Sequence, residues 1–232
     1  MKEIYSIAID GPSGAGKSSL AKAAAAKFGF IYVDTGAIYR TVGLAAHRRG
    51  IDCHDESAIK VLLPLLDISM RYNECGEQRM VLNGEDVSGE IRQPEISVCA
   101  SDVASLAIVR AFLMDLQRQM AKKHSVIMDG RDIGTVVLPE ADVKIFLTAS
   151  AEARAKRRLL ELEQKGVKST FDDVLEGILY RDKQDTSRAA APLKMADDAI
   201  LLDTSEIDFA ESLNRLSDII ENKLGVKAGA DA

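Results

Sequence analysis

The chain has 232 residues, 30 Lys and Arg against 36 Asp and Glu, a formal charge of −6 and a hydrophobic share of 47%. That length and apolar share suit one sizeable α/β domain with a small insert, while the acidic balance argues against a nucleic-acid binder working through a broad basic surface. No apolar run of about 18 residues predicts a membrane span, and no signal-peptide pattern precedes the first strand. Cys53, Cys75 and Cys99 are far apart and suit free thiols in a reducing cytoplasm. Neither they nor His47, His54 and His124 fall at metal-ligand spacing, and no Cys-His or Ser-His-Asp nucleophile is expected.

The first element is an apolar run from Ile4 to Ile9 that stops at Asp10. Gly11, Pro12, Ser13, Gly14, Ala15, Gly16, Lys17 and Ser18 follow, and an Ala-rich stretch from Ser19 to Lys27 reads as helix. The run matches G-x-x-x-x-G-K-[ST] in the context that the motif needs: buried strand, Gly-rich loop, helix start. Glycines let successive N–H groups turn inward as an anion nest, and the helix N-terminus adds partial positive charge. The pattern predicts a nucleoside triphosphate site. Lys17, an exposed loop lysine on this reading, reaches the β- and γ-phosphates, the Ser18 hydroxyl helps to hold Mg²⁺, and Ser19 faces the α-phosphate. A dinucleotide site fits less well, because Ser19 stands where G-x-G-x-x-G needs its third glycine.

Phe30 to Val33 is a short strand ending at Asp34, and Asp34-Thr35-Gly36 opens a helix that runs to about Arg49 with Gly50 as its stop. Such a junction lies at the carboxyl edge of the sheet, where doubly wound folds bind ligands, and Arg40 can turn there toward a second anion. Between residues 67 and 90 the pattern changes. Ile68, Met70 and Tyr72 alternate with polar neighbours, and Met80-Val81-Leu82, Asn83-Gly84, Glu85-Asp86-Val87 predicts a hairpin with a two-residue turn. From Ile91 to about Lys123 the apolar spacing predicts helix in two pieces, carrying Ser101 and Arg110.

Val126 to Met128 is another buried strand, closed by Asp129-Gly130-Arg131-Asp132. The terminal Asp129 resembles a Walker-B position that orients Mg²⁺ through water. Val143 to Leu147 is the fourth strand. The next helix carries Arg154, Arg157 and Arg158 at i, i+3 and i+4, and Gly166 with Ser169-Thr170 breaks it, the pattern of a mobile lid. A helix from Phe171 brings Arg181, Asp185 and Arg188 to one face at i, i+4 and i+7. Ala199 to Leu202 is the fifth strand, Asp203-Thr204-Ser205 is expected to cap the last helix, and residues 226–232 are expected to be a disordered tail. The strand and helix alternation predicts a P-loop α/β fold: a doubly wound five-stranded parallel sheet with helices on both faces and a small antiparallel β insert.

In order, the blocks DGPSGAGKS, DTGAIYR, VLNGEDVSGEIR, DGRDIGTVV and RDKQDTSRAAAPL resemble the bacterial cytidylate kinases over nearly the whole chain. The resemblance implies a single kinase domain over 1–225, with an acceptor-binding region at about 35–123 that carries the insert and a lid at about 154–170. It implies transfer of the γ-phosphoryl of ATP, with Mg²⁺, to CMP or dCMP by a cytoplasmic monomer that needs neither nucleic acid nor membrane. Thr35, Ser101, Arg110 and Asp132 then match positions that meet cytosine. Arg40 and Arg131 lie near the acceptor phosphate, and Arg181, Asp185 and Arg188 lie on the ribose and phosphate side. Thr35 stands where a serine is also familiar, and Ser18-Ser19 where some relatives read Gly-Thr. Lys17, Arg131, Arg188 and the lid cations Arg154, Arg157 and Arg158 form the expected catalytic set, because transfer between two anions needs alignment and charge neutralisation rather than a covalent nucleophile. A GTPase switch is disfavoured: Asp86-Val87-Ser88-Gly89 fits D-x-x-G only inside the polar insert, and Asn222-Lys223-Leu224-Gly225 lacks the final Asp of N-K-x-D. A P-loop kinase acting on another acceptor is the remaining alternative.

Overall fold

The computed structural model describes residues 4–164 and 166–229. In chain order, β1 (Ser6–Asp10) leads through the Gly-rich loop into α1 (Lys17–Phe28), then β2 (Ile31–Asp34) and α2 (Thr35–His47). A short α3 (Glu56–Leu62) precedes the insert strands β3 (Ile68–Tyr72), β4 (Gln78–Leu82) and β5 (Glu85–Asp86). Helices α4 (Pro94–Ser105) and α5 (Ala107–Lys123) follow, then β6 (Val126–Gly130), a π-helical turn at Ile133–Val137 and β7 (Val143–Thr148). The chain closes with α6 (Ala151–Gln164), α7 (Phe171–Ser187), β8 (Ile200–Asp203) and α8 (Phe209–Leu224).

The main sheet has the order β2-β6-β1-β7-β8, with every neighbouring pair parallel. β1 is therefore central and buried on both faces, which is why it reads as a continuous apolar run. Side chains alternate along it: Ile7 and Ile9 pack with Ala21, Ala24 and Ala25 of α1 and Leu216 and Ile220 of α8. Ala8 faces the opposite layer with Met128, Ile133 and Val137, against which Met114 and Met120 of α5 pack. A separate hydrophobic cluster joins α2, α3, the insert and the helices α4 and α5. The expected fold is present.

Local chemistry accounts for most boundaries. Asp34 caps α2 by accepting from Ala37 N at 2.9 Å, and Gly29 ends α1 in the left-handed region. Asn83 (φ 50°) and Gly84 (φ 87°) make the two-residue turn that sets Leu82 opposite Glu85. The two-piece helix breaks at Leu106, where α4 and α5 meet at 98°. Among the described residues no single helix is long and apolar enough to cross a membrane.

Two features differ from expectation. The last helix does not start from Asp203-Thr204-Ser205: Asp203 Oδ1 instead accepts from Ser205 N at 2.8 Å, closing a local turn, and Asp208 caps α8 through Glu211 N at 2.8 Å. Helix α3, capped by Asp55, has no counterpart in the sequence reading. Of the expected tail, residues 230–232 lie outside the described residues, as does Lys165 in the expected lid.

Candidate active site

The donor loop is set by one glycine. Gly11 has a φ of +153°, and a Cβ there would lie 1.9 Å from the Leu147 carbonyl oxygen of β7, so only glycine lets the loop leave β1 at this angle. Gly16 enters α1 in the left-handed region with no side-chain cap, which leaves the first N–H groups of α1 free for an anion. Lys17 is not exposed: it is only 5% accessible, and its Nζ donates to the Pro12 carbonyl at 2.7 Å. Burial, reinforced by the charge of Arg131, pulls its ammonium down to about 7. Ser18 Oγ donates to Asp129 Oδ2 at 2.8 Å and the Tyr32 hydroxyl donates to Oδ1 at 2.9 Å. Burial and the nearby Asp34 push the Asp129 carboxyl up to about 6.

A cavity of about 720 Å³ runs from this loop along the carboxyl edge of the sheet. Residues 13–19 of the loop, Thr35, Arg40, Ser101, Arg110, Asp129, Arg131, Asp132, Arg157, Arg181, Asp185 and Arg188 all line it. Its acceptor end is a cluster of alternating charges. Arg110 pairs with Asp132, and Arg188 approaches the other oxygen of that carboxylate at 3.5 Å. Arg131 pairs with Asp185 at 2.6 Å, and Arg40 with Asp34 at 2.8 Å. Arg40 Nε is buried and has no hydrogen-bond partner among the described residues. Thr35 Oγ1 donates to the Asp129 carbonyl at 2.7 Å, tying α2 to β6.

The three arginines of α6 separate. Arg157 lines the cavity, donating to the Thr204 carbonyl and, at 3.2 Å, to Thr204 Oγ1. Arg154 is buried and does not line it: Nε donates to the Ala149 carbonyl and one Nη to the Ser13 carbonyl, both at 2.9 Å, and the guanidinium pairs with Asp182 at 2.6 Å. It is a strut between α6, α7 and the donor loop. Arg158 pairs with Glu161 at 2.9 Å on the exposed surface of α6. Gly11 and Pro12 shape the loop without lining the cavity.

Two parts of the wall are absent from the sequence reading. Thr204, Ile207, Asp208 and Phe209, between β8 and α8, close the cavity beside the donor loop. The misplaced start of α8 concealed them. Tyr39 lies under Arg110, with the guanidinium carbon 5.5 Å from the ring centroid. The only sequence signal for it is its place next to Arg40.

The family model for cytidylate kinase matches residues 7–222. This chain belongs to the cytidylate kinase family. It is 48% identical to the cytidylate kinase of Lactobacillus johnsonii over 95% of each chain, and 48% identical to that of Caldicellulosiruptor bescii over 94% of this chain and 96% of the relative. Among solved structures, an uncharacterized protein from Eubacterium ventriosum shares the fold at a TM-score of 0.52 and 15% identity, over 94% of this chain and 98% of that one. Four of the five blocks, at residues 10–18, 34–40, 129–137 and 181–193, contribute residues to the cavity wall, while the block at 81–92 lies in the β insert away from it.

Proposed function

We propose that this chain transfers the γ-phosphoryl group of ATP to CMP or dCMP, giving ADP and CDP or dCDP. The observation that carries the reading is continuity: one cavity joins the phosphate-binding loop to the arginine and carboxylate cluster, so two anions can be held end to end. In the reaction an acceptor phosphate oxygen, already anionic at neutral pH, attacks the γ-phosphorus as the bond to the β-bridging oxygen breaks. No general base is needed. Lys17 holds the donor phosphates, while Arg131 and Arg40 exchange their carboxylate partners for the acceptor phosphate; Arg188 and Arg181 flank it. Ser18 and Asp129 present hard oxygen donors 2.8 Å apart, the donor type that Mg²⁺ takes. Bound there, Mg²⁺ neutralises charge on the transferring phosphates. The nucleotide substrates together with free cysteines support a cytoplasmic site.

The test is ADP release with a panel of acceptors: CMP, dCMP, UMP, AMP, GMP and small hydroxylated metabolites. CMP and dCMP are expected to lead. Preference for a non-nucleotide acceptor would reassign the chain to another P-loop kinase activity.

We also propose that the end of α6 and the segment to Thr170 form a lid. Since Arg154 is tied to Asp182 and Ser13, closure is expected in residues 159–170, beyond that strut. Amide exchange there is expected to slow only when ATP and CMP, or a bisubstrate analogue, are both bound. Equal protection in the free protein would make this segment a static helix end.

A further inference from the structure

Asp10 lies outside the Gly-rich motif and does not line the cavity, yet it is a carboxylate only 5% exposed at the end of the central strand. Its two oxygens accept from two successive amides, Ile133 N on Oδ1 and Gly134 N on Oδ2, each at 2.7 Å. These are the opening N–H groups of the π-helical turn after β6, which a helical start leaves without acceptors of its own. The later amides of the turn, Val136 and Val137, go to the Asp132 carbonyl at 2.9 and 3.1 Å. Asp132 therefore sits immediately before the two amides that Asp10 grips, with its carbonyl fixed by the same turn.

Such an arrangement is costly. Burial pushes the Asp10 carboxyl up to about 6, the bonds from Gly134 and Ile133 pull it back, and the charge of Asp132 raises it further. An apolar residue would avoid the burial cost but leave two buried N–H groups unpaired. The turn packs closely: a Cβ at Gly134 would lie 3.4 Å from Asp10 Oδ2 and 3.2 Å from the Lys144 stem. On the far side of the turn, the Asp132 side chain is 4% exposed and takes Arg110 and Arg188. A rotation at Ile133 would move that carboxylate directly.

We propose that Asp10 is a positioning residue for acceptor recognition: by holding the amides of Ile133 and Gly134 it fixes the direction in which Asp132, with Arg110 and Arg188, meets the acceptor. The proposal rests on the reading that Asp132 reads the acceptor base. What separates positioning from plain structural support is selectivity. If Asp10 only stabilises the fold, its loss affects donor and acceptor alike.

The experiment compares Asp10→Asn with the parent chain and with Asp132→Asn and Asp132→Ala. The asparagine keeps the shape but turns a donor toward one of the two amides. The KM for CMP is expected to rise about tenfold or more, the preference for CMP over UMP to shrink, and the KM for ATP to stay within about twofold. A CMP KM unchanged in the folded variant, or an equal rise for ATP and CMP, overturns the proposal. If Asp132→Asn is impaired with CMP while Asp10→Asn is not, the base reading stands and the role of Asp10 falls. If Asp132→Asn and Asp132→Ala are both unimpaired with CMP, the base reading falls and takes the proposal with it; if only Asp132→Asn is unimpaired, the direction of that carboxylate does not set recognition and the role of Asp10 falls. Residue-resolved hydrogen exchange on the parent chain needs no variant to fold: the Ile133 and Gly134 amides are expected to be protected like strand amides, and exchange at the rate of solvated loop amides rules the clamp out.

Discussion

Lys17→Met is expected to fold, to melt at least as high as the parent chain, and to lose phosphoryl transfer by about 10³ or more. The stability half follows from burial. The lysine is 5% exposed, and burial pulls its ammonium down to about 7, so holding it charged in the folded state is costly. Methionine fills the space of the stem and removes that charge, while the Pro12 carbonyl loses one donor at 2.7 Å, worth about 1 kcal/mol. The activity half follows from placement. Negative charge shifts along the donor phosphates during transfer, and one preorganised donor at such a position is commonly worth about 10²–10³ in rate; a full charge is worth more. Steady-state ADP release and a calorimetric scan on the same preparation check both halves. Turnover within tenfold of the parent in a folded variant would remove the loop lysine from the mechanism.

How much of this site could be read from sequence depends on how local its causes are. The donor loop was legible because its geometry demands residue types at fixed spacing: Gly11 is confined by Leu147 O, Gly16 by its left-handed φ of 87°. The insert hairpin was legible for the same reason, since Asn83-Gly84 is the sequence of its turn. Helix α3 has only seven residues and runs straight into the 3-10 turn at Leu63–Leu65, so it offers little periodic signal, although Ile59, Leu62 and Leu63 have helical spacing onto the core. The start of α8 was misplaced because Asp203-Thr204-Ser205 and Asp208 have the same capping chemistry, and only packing chooses. The apolar face formed by Leu213, Leu216 and Ile220 begins beyond Asp208, and it decided the boundary.

Burial was harder to read than face. Arg154, Arg157 and Arg158 have one spacing rule and three environments: a buried strut, a cavity wall and an exposed ion pair. Nothing local distinguishes them, because the partner that buries Arg154 is Asp182, a helix away. Asp10 is the extreme case. Its partners are Ile133 and Gly134, 123 and 124 positions along the chain, so before the sheet order is known it is only the polar end of a strand.

Asp132 is expected to carry the choice of base, and its two substitutions should differ in kind. Cytosine offers an amino donor at N4 beside acceptors at N3 and O2; uracil offers an acceptor at O4 and a donor at N3. An ionised Asp132 can only accept, while Ser101 and Arg110 can donate, so the three match cytosine's edge and oppose uracil's. In the structure Asp132 is 4% exposed, with Arg110 on one oxygen and Arg188 at 3.5 Å from the other. Each charge-assisted bond is worth about 1.5–3 kcal/mol, and a site that leaves buried polar groups unpaired rejects an analogue by about 10⁴. Asp132→Asn, whose amide also donates, should lose efficiency with CMP by about tenfold or more and narrow the gap to UMP. Asp132→Ala should lose CMP without a matching gain for UMP, because no acceptor replaces the carboxylate. It should also melt several degrees lower: Arg110 is left buried without its anion, a loss of about 3–5 kcal/mol, and each kcal/mol is worth about 2–4 °C in a chain of this size. The measurements are kcat/KM for CMP and UMP and the melting temperature of all three proteins. If CMP efficiency stays within about twofold in both variants, less than the roughly 1.4 kcal/mol of a tenfold change, Asp132 does not read the base.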